Sequence, residues 1–258
     1  MKITTWGKLK FAIGAGVMVL LAGNVFSSNL LADDLSQGEI IKKTQEKYAS
    51  LTSYSDEGKI VASLNGITIT TTFTIKLARP NLYKIEWEQS NSASPSPDAK
   101  ARAVWSAGEG DFLDMGRGVE KQTNQEMALA SATGISGGAA ATIPGTFFKL
   151  NWGNQFGWVA HAKQQPDEKV GDVDCYVFTN ESKGRAKTLW IGKQDFLIHQ
   201  VRNVTSAEAM KATMAEAAKN NPEVNANVPK PEPQGITSTE THTNIVVNQT
   251  IPAADFAR

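Results

Sequence analysis

Residues 67–77 read Ile-Thr-Ile-Thr-Thr-Thr-Phe-Thr-Ile-Lys-Leu, and this alternation decides the fold. Ile67, Ile69, Phe73, Ile75 and Leu77 share one side, while Thr68, Thr70, Thr72, Thr74 and Lys76 share the other. A period of two with one apolar side is the mark of a half-buried β-strand. Asn65-Gly66 precedes the run and supplies the positive φ angles of a two-residue hairpin turn. Arg79-Pro80-Asn81-Leu82-Tyr83 opens the next strand, which sets Tyr83, Ile85 and Trp87 on one face. From Tyr54 to Trp87 the chain therefore reads as three short strands in series. A sheet this apolar on one side must cover that side or bind something with it. These strands hold no nucleophile, metal cluster or phosphate loop, so they point to holding an apolar group rather than to chemistry.

On the N-terminal side, Ser36 and Glu39 form a capping box, with Leu35 and Ile40 placed as a hydrophobic staple. A helix is expected to about Ser50, with Ile40, Thr44, Tyr48 and Leu51 on one stripe. Residues 90–97 are a Ser/Pro loop. Arg102 to Ser106 and Asp111 to Met115 flank Gly108-Glu109-Gly110 and read as a hairpin. Thr123 and Glu126 form a second capping box for a short helix with Met127 and Ala130, ended by Gly134. Residues 134–145 are mostly Gly, Ala and Ser, and Pro144 starts the apolar piece Phe147-Phe148-Lys149-Leu150. Such a stretch has little rigidity of its own and suits a movable cover. Strands are expected again from about Gly157 to Val204. Thr205 and Glu208 cap a third helix, with Ala207, Met210, Met214 and Ala217 on one face. Residues 222–233 form a proline-rich connection, and Thr237 to Val247 a closing strand. There is no internal repeat. The pattern is α+β, a long antiparallel sheet with helices set to one side.

The first 32 residues read as a secretory signal. Lys2, Lys8 and Lys10 give a positive start, and Phe11 to Gly23 is an apolar core too short for a membrane span. Val25-Phe26-Ser27 and Leu30-Leu31-Ala32 both offer small residues for cleavage, and cleavage after Ala32 is favoured over an uncleaved anchor. No cysteine stands beside Ala22-Gly23 to accept a lipid. The expected product is exported to a compartment such as a bacterial periplasm. The formal charge of the whole chain is +0, and the signal carries three lysines and no acids. Removing it leaves a mildly acidic domain without the basic stripe that nucleic acid requires. Cys175, the one cysteine, cannot form an internal disulfide. Between valines it reads as a small buried hydrophobe, with a reactive thiol as the alternative.

Candidate chemistry is sparse. Gly134-Ile135-Ser136-Gly137-Gly138 matches the G-x-S-x-G pattern, but that motif needs a strand before the serine and a helix after it. Here a helix precedes it and a loop follows, so a hinge is the expected role. His161, His199 and His242 lack ligand spacing, so no metal site is expected. No pair of carboxylates suggests glycoside chemistry, and no cofactor is implied. Trp87, Trp105, Trp152, Trp158 and Trp190 lie in or near strands. They serve either an ordinary core or a lined cavity. Thin Ala/Gly-rich helices over the sheet, with adaptable Met210 and Met214 nearby, favour the cavity. Arg79 sits at its rim. Its guanidinium needs acceptors, which the helix-end carbonyls of residues 123–148 can supply.

At Arg79-Pro80-Asn81-Leu82-Tyr83, with the hairpin before it and Trp87 after it, the chain resembles the LolA family of periplasmic lipoprotein carriers. Further matches follow in order: Trp105-Ser106-Ala107-Gly108 opening a hairpin, Ile143-Pro144-Gly145-Thr146-Phe147-Phe148 as a proline-led lid helix, Ile198-His199-Gln200 in a late strand, and Asn244-Ile245-Val246-Val247-Asn248 as a closing strand, followed by Ile251 and Phe256. The resemblance spans most of residues 35–258. It differs in a longer Gly/Ala loop at 134–142 and in a helix with a proline-rich tail, at 206–234, that looks like an insertion.

The resemblance implies an incomplete, curved antiparallel barrel with helices covering its concave face and a lid at 123–150. It implies a non-enzymatic carrier of lipoprotein acyl chains or another lipid, a chaperone in sorting lipoproteins to the outer membrane. Membrane donor and acceptor proteins would be its partners, and a monomer is expected. Phe73, Ile75, Leu77, Tyr83, Ile85, Trp87, Trp105, Phe147, Phe148, Met210 and Met214 would line the lipid site. Arg79 matches the arginine that holds the family's lid shut. A non-carrier sensor or protein-interaction module on the same fold is the alternative, and a secreted esterase using Ser136 a distant third.

Overall fold

The alternation at 67–77 becomes the second of three long antiparallel strands. These are β1 (Ser53–Leu64), β2 (Ile67–Ala78) and β3 (Leu82–Asn91), two of twelve residues and one of ten, longer than the short strands expected. The computed structural model describes residues 35–94, 101–152, 155–220 and 234–258. The signal at 1–32 and the proline-rich connection at 222–233 lie outside the described residues. Asn65 and Gly66 turn β1 into β2 with φ angles of 52° and 76°, as a two-residue hairpin demands.

Eight more strands extend this trio: β4 (Arg102–Ser106), β5 (Asp111–Asp114), β6 (Val119–Gln122), β7 (Lys163–Val170), β8 (Val173–Ser182), β9 (Arg185–Gly192), β10 (Ile198–Thr205) and β11 (Ile236–Val247). The order across the sheet is β6-β5-β4-β3-β2-β1-β11-β10-β9-β8-β7, each neighbouring pair antiparallel, with β6 and β7 at the edges. The chain thus builds one half outward from β1, returns at the far edge through β7, and closes the middle with β11 against β1. Leu113 on β5 and Phe178 on β8 belong to one hydrophobic cluster. In a flat sheet, strands that far apart would be separated by nearly 40 Å, at ~4.8 Å per strand. The sheet therefore curls around its helices as an open barrel.

Helices fill the curl. α1 (Gln37–Ser50) begins at Ser36, whose side chain accepts from the Glu39 backbone N–H while the Glu39 carboxylate accepts from the Ser36 N–H. Ile40, Thr44 and Tyr48 are its buried stripe. α2 (Gln125–Ile135) is capped by Asn124, which accepts from the Met127 N–H, and not by Thr123 as expected. Asn and Thr are both good caps, and the end of β6 at Gln122 sets which of them meets the helix. α3 (Thr142–Phe148) and α4 (Phe156–Val159) follow. The latter occupies the region where strands were expected to resume; they resume at Lys163. α5 (Ala207–Asn220) starts one residue later than expected, with Ser206 accepting from the Ala209 N–H. A short 3-10 helix, Ala253–Phe256, ends the chain.

Buried side chains from α1 to α4 join Phe73, Ile75, Leu77, Tyr83, Ile85, Trp87, Leu189, Ile191 and Val201 in one core. Ile67 and Ile69 continue the apolar row but stay half-buried, because the β1–β2 hairpin tip runs beyond the main core.

Candidate ligand-binding site

The concave face is set by register. Phe73 pairs with Trp87, Ile75 with Ile85 and Leu77 with Tyr83, so all six side chains point the same way. They are between 0 and 4 % exposed. The cover above them is α1, α2 and α3. Phe147 of α3 is fully buried, and half-buried Phe148 meets the Tyr83 ring edge-on at 6.2 Å. The sequence-derived residues Phe73, Ile75, Leu77, Tyr83, Ile85, Trp87, Phe147 and Phe148 are thus brought into one apolar assembly between sheet and cover.

Three residues of that group lie elsewhere. Trp105 pairs with Lys84 on β3 and Phe112 on β5, which puts it on the outer face. There it stacks on Phe112 at 5.6 Å, and the Arg258 guanidinium lies 5.8 Å from its ring. Val104 takes the concave position instead, opposite Ile85. Both faces of β4 are buried, so apolar character alone could not say which face Trp105 takes. Met210 is half-buried and Met214 is 46 % exposed on α5. Helical spacing carries Ala209, Ala212, Thr213 and Glu216 to the face that meets the sheet, and the two methionines lie off it.

Arg79 closes the assembly. Its Nη2 donates to the Phe147 carbonyl at 2.7 Å and to the Tyr48 carbonyl at 3.3 Å, and its Nε donates to the Leu51 carbonyl at 3.2 Å. The guanidinium also stacks 4.4 Å from the centre of the Phe147 ring. A helix end leaves its last carbonyls without intrahelical partners. One planar, multiply donating group serves two such ends, that of α1 and that of α3. Gln89 does the same for α2: its amide donates to the Ile135 carbonyl at 3.3 Å and to Thr71 Oγ1 at 3.1 Å.

Beneath α3 lies a buried polar group that no sequence signal announced. His242 Nδ1 is 2.7 Å from Asp56 Oδ2, which also accepts from the Tyr54 hydroxyl at 2.7 Å. His242 Nε2 is 3.3 Å from Glu240 Oε1, and Thr142 of α3 donates to Glu240 Oε2 at 2.7 Å. Burial presses the imidazolium toward the neutral form, but the Asp56 and Glu240 charges outweigh it and raise the His242 pKa to about 10. The result is a cation held between two carboxylates, with one carboxylate reaching the cover. Asp56 and His242 meet because β1 pairs with β11; alternation on β1 could indicate only that Asp56 shares a face with Tyr54.

Ser136 is fully buried at the end of α2. Its hydroxyl donates to the Thr133 carbonyl at 3.2 Å and accepts from the Ala140 N–H at 3.1 Å, which ties α2 to the turn before α3. It is not on a strand-to-helix elbow. Among the described residues no cluster of three or more His, Cys, Asp or Glu could hold a metal ion. His199 bonds Asp195 at 2.9 Å within its own hairpin. Two grooves lie off the covered core. One, of about 830 Å³, is lined mainly by outward-facing Thr, Glu and Lys side chains of β1, β2, β3 and β11. The other, of about 680 Å³, lies between α4, α5 and the ends of β8, β9 and β10.

No protein-family model and no curated protein matches the chain. Solved structures that resemble it include LprF from Mycobacterium bovis, at 10 % identity over 84 % of this chain and 95 % of that one, TM-score 0.43. A LolA superfamily protein from Nitrosomonas europaea is similar at 10 % identity over 87 % and 98 %, TM-score 0.33. The MucA/MucB complex of Pseudomonas aeruginosa is similar at 8 % identity over 86 % and 60 %, TM-score 0.43. These likenesses concern the course of the chain alone.

Proposed function

We propose that this is an exported, non-enzymatic binding protein that carries lipoprotein acyl chains or another lipid between the concave sheet face and the α2–α3 cover. The observation that supports this reading is the Arg79 clasp. A single rim guanidinium joins the ends of α1 and α3 over an interior that is apolar apart from the Asp56–His242–Glu240 group. Each bond is replaceable by water when the cover lifts, so the clasp can open without leaving a buried charge stranded. Burying an acyl chain is worth ~0.8 kcal/mol per methylene. Phe147, Ile143 and Leu129 now occupy the space such a chain would take. Cover and cargo therefore compete for the same surface, which lowers net affinity and permits hand-off.

The test is Arg79→Leu. The variant should take up a fluorescent fatty acid more readily and hand it on more slowly, with faster hydrogen exchange in residues 123–148. Uptake, release and exchange all equal to wild type would reduce Arg79 to a surface contact. Native mass spectrometry of protein isolated from its own compartment adds an independent check. Co-isolated lipid supports the carrier, whereas a bound polypeptide without lipid moves the reading to a protein-interaction module.

A further inference from the structure

The concave face changes character in step along three neighbouring strands. Phe178, Leu189 and Val201 lie side by side in the core. Two residues further along each strand, on the same face, stand Asn180, Lys187 and Asn203, also paired side by side. One such step is about 7 Å. The apolar floor thus runs directly into a polar row, and that row is the floor of the 680 Å³ groove. Trp158 of α4 and the small residues Ala209 and Ala212 of α5 contribute to its walls.

Lys187 is the centre of this row. Its Nζ lies 5.0 Å from the centre of the Trp158 ring, and it has no hydrogen bond or ion pair among the described residues. Burial lowers its pKa to about 8, and the Glu240 charge only partly opposes this. Lys183 and Arg185 add two more positive charges to the groove, against one carboxylate, Glu216. Arg185 is tied to α5 by a 2.6 Å bond to Thr213 Oγ1. A half-buried ammonium with no ion-pair partner among the described residues, flanked by two amide side chains, is set up to receive an oxyanion.

We infer that this groove binds the anionic head group, phosphate or carboxylate, of an amphiphile whose alkyl chain lies on the adjoining apolar floor. The inference rests on the lipid-binding reading above and adds the charge of the cargo. It also gives α5 a role as the groove's outer wall.

Calorimetry with decyl phosphate, decanol and inorganic phosphate on the purified chain tests it. Wild type should bind decyl phosphate about tenfold more tightly than decanol, the scale of one charge-assisted hydrogen bond. Lys187→Gln should erase that preference and leave decanol affinity unchanged, while Lys187→Arg should retain it. Arg185→Gln, at an exposed rim position, should narrow the preference without touching Lys187. Decanol binding with no preference for decyl phosphate, or a preference that survives Lys187→Gln, overturns the head-group site and leaves the acyl-chain reading standing. Absence of decanol binding, with inorganic phosphate bound as well as decyl phosphate, overturns the chain reading and this inference together.

Discussion

Replacing Asp56 by Asn should be among the most damaging single-atom-scale changes this protein can suffer. Asp56 Oδ2 accepts from both the Tyr54 hydroxyl and the His242 ring at 2.7 Å, and the Asp56 and His242 side chains are fully buried. The amide keeps the size of the carboxylate and removes its charge. The imidazolium then retains only Glu240 at 3.3 Å, whose other oxygen is engaged by Thr142. Removing one partner of a buried ion pair costs about 3–5 kcal/mol. At about 2–4 °C per kcal/mol for a domain of this size, the melting temperature should fall by on the order of 10 °C. The pH dependence has a defined sign. His242 titrates at about 10 in the folded protein against 6.5 for the free side chain, so folding tightens its hold on the proton. The stabilisation is complete below about 6.5 and is lost as pH rises through about 10. Melting curves by circular dichroism give the stability loss, and imidazole nitrogen shifts follow the proton. In wild type both ring nitrogens should stay protonated beyond pH ~9, and in the variant the titration should move down. A stability loss under about 1 kcal/mol, or a wild-type His242 that titrates like a free histidine, would refute the ion-pair reasoning.

Gly58→Ala should destabilise by about 1–3 kcal/mol, because a Cβ there would overlap the Phe73 ring, which lies across the glycine in the core; a melting temperature equal to wild type would show that the ring has room to move. Cys175 should resist thiol reagents at pH ~8 in the native protein and react at once in denaturant, since burial, with smaller contributions from Asp195, Asp174 and Asp167, pushes its thiol up to about 12; rapid native labelling would make it a reactive thiol after all.

What was legible in the sequence is what short-range physics writes there. Alternation over 67–77 and 83–87 gave the strands and the side each residue faces, because a strand repeats every two residues whatever it packs against. Asn65-Gly66 gave the hairpin and Ser36 with Glu39 the first helix start, because turns and caps are made by their own neighbours. Arg79 could be assigned to a helix-end carbonyl of the 123–148 cover, which Phe147 supplies, because those groups always need partners; its bonds to Tyr48 and Leu51 at the end of α1 had no local signal. Tertiary structure decided the rest. Trp105 went to the outer face because pairing with Lys84, and not hydrophobicity, orients a strand buried on both sides. The Asp56–His242–Glu240 charges meet only because β11 pairs with β1, bringing together Asp56 and His242 at a sequence separation of 186. Lys187 gained its place at the border of the apolar floor only when β8, β9 and β10 came into register. A local pattern fixes which way a side chain points; which charges share a low-dielectric interior depends on which strands become neighbours, and that is settled by burial of the whole sheet around its helices.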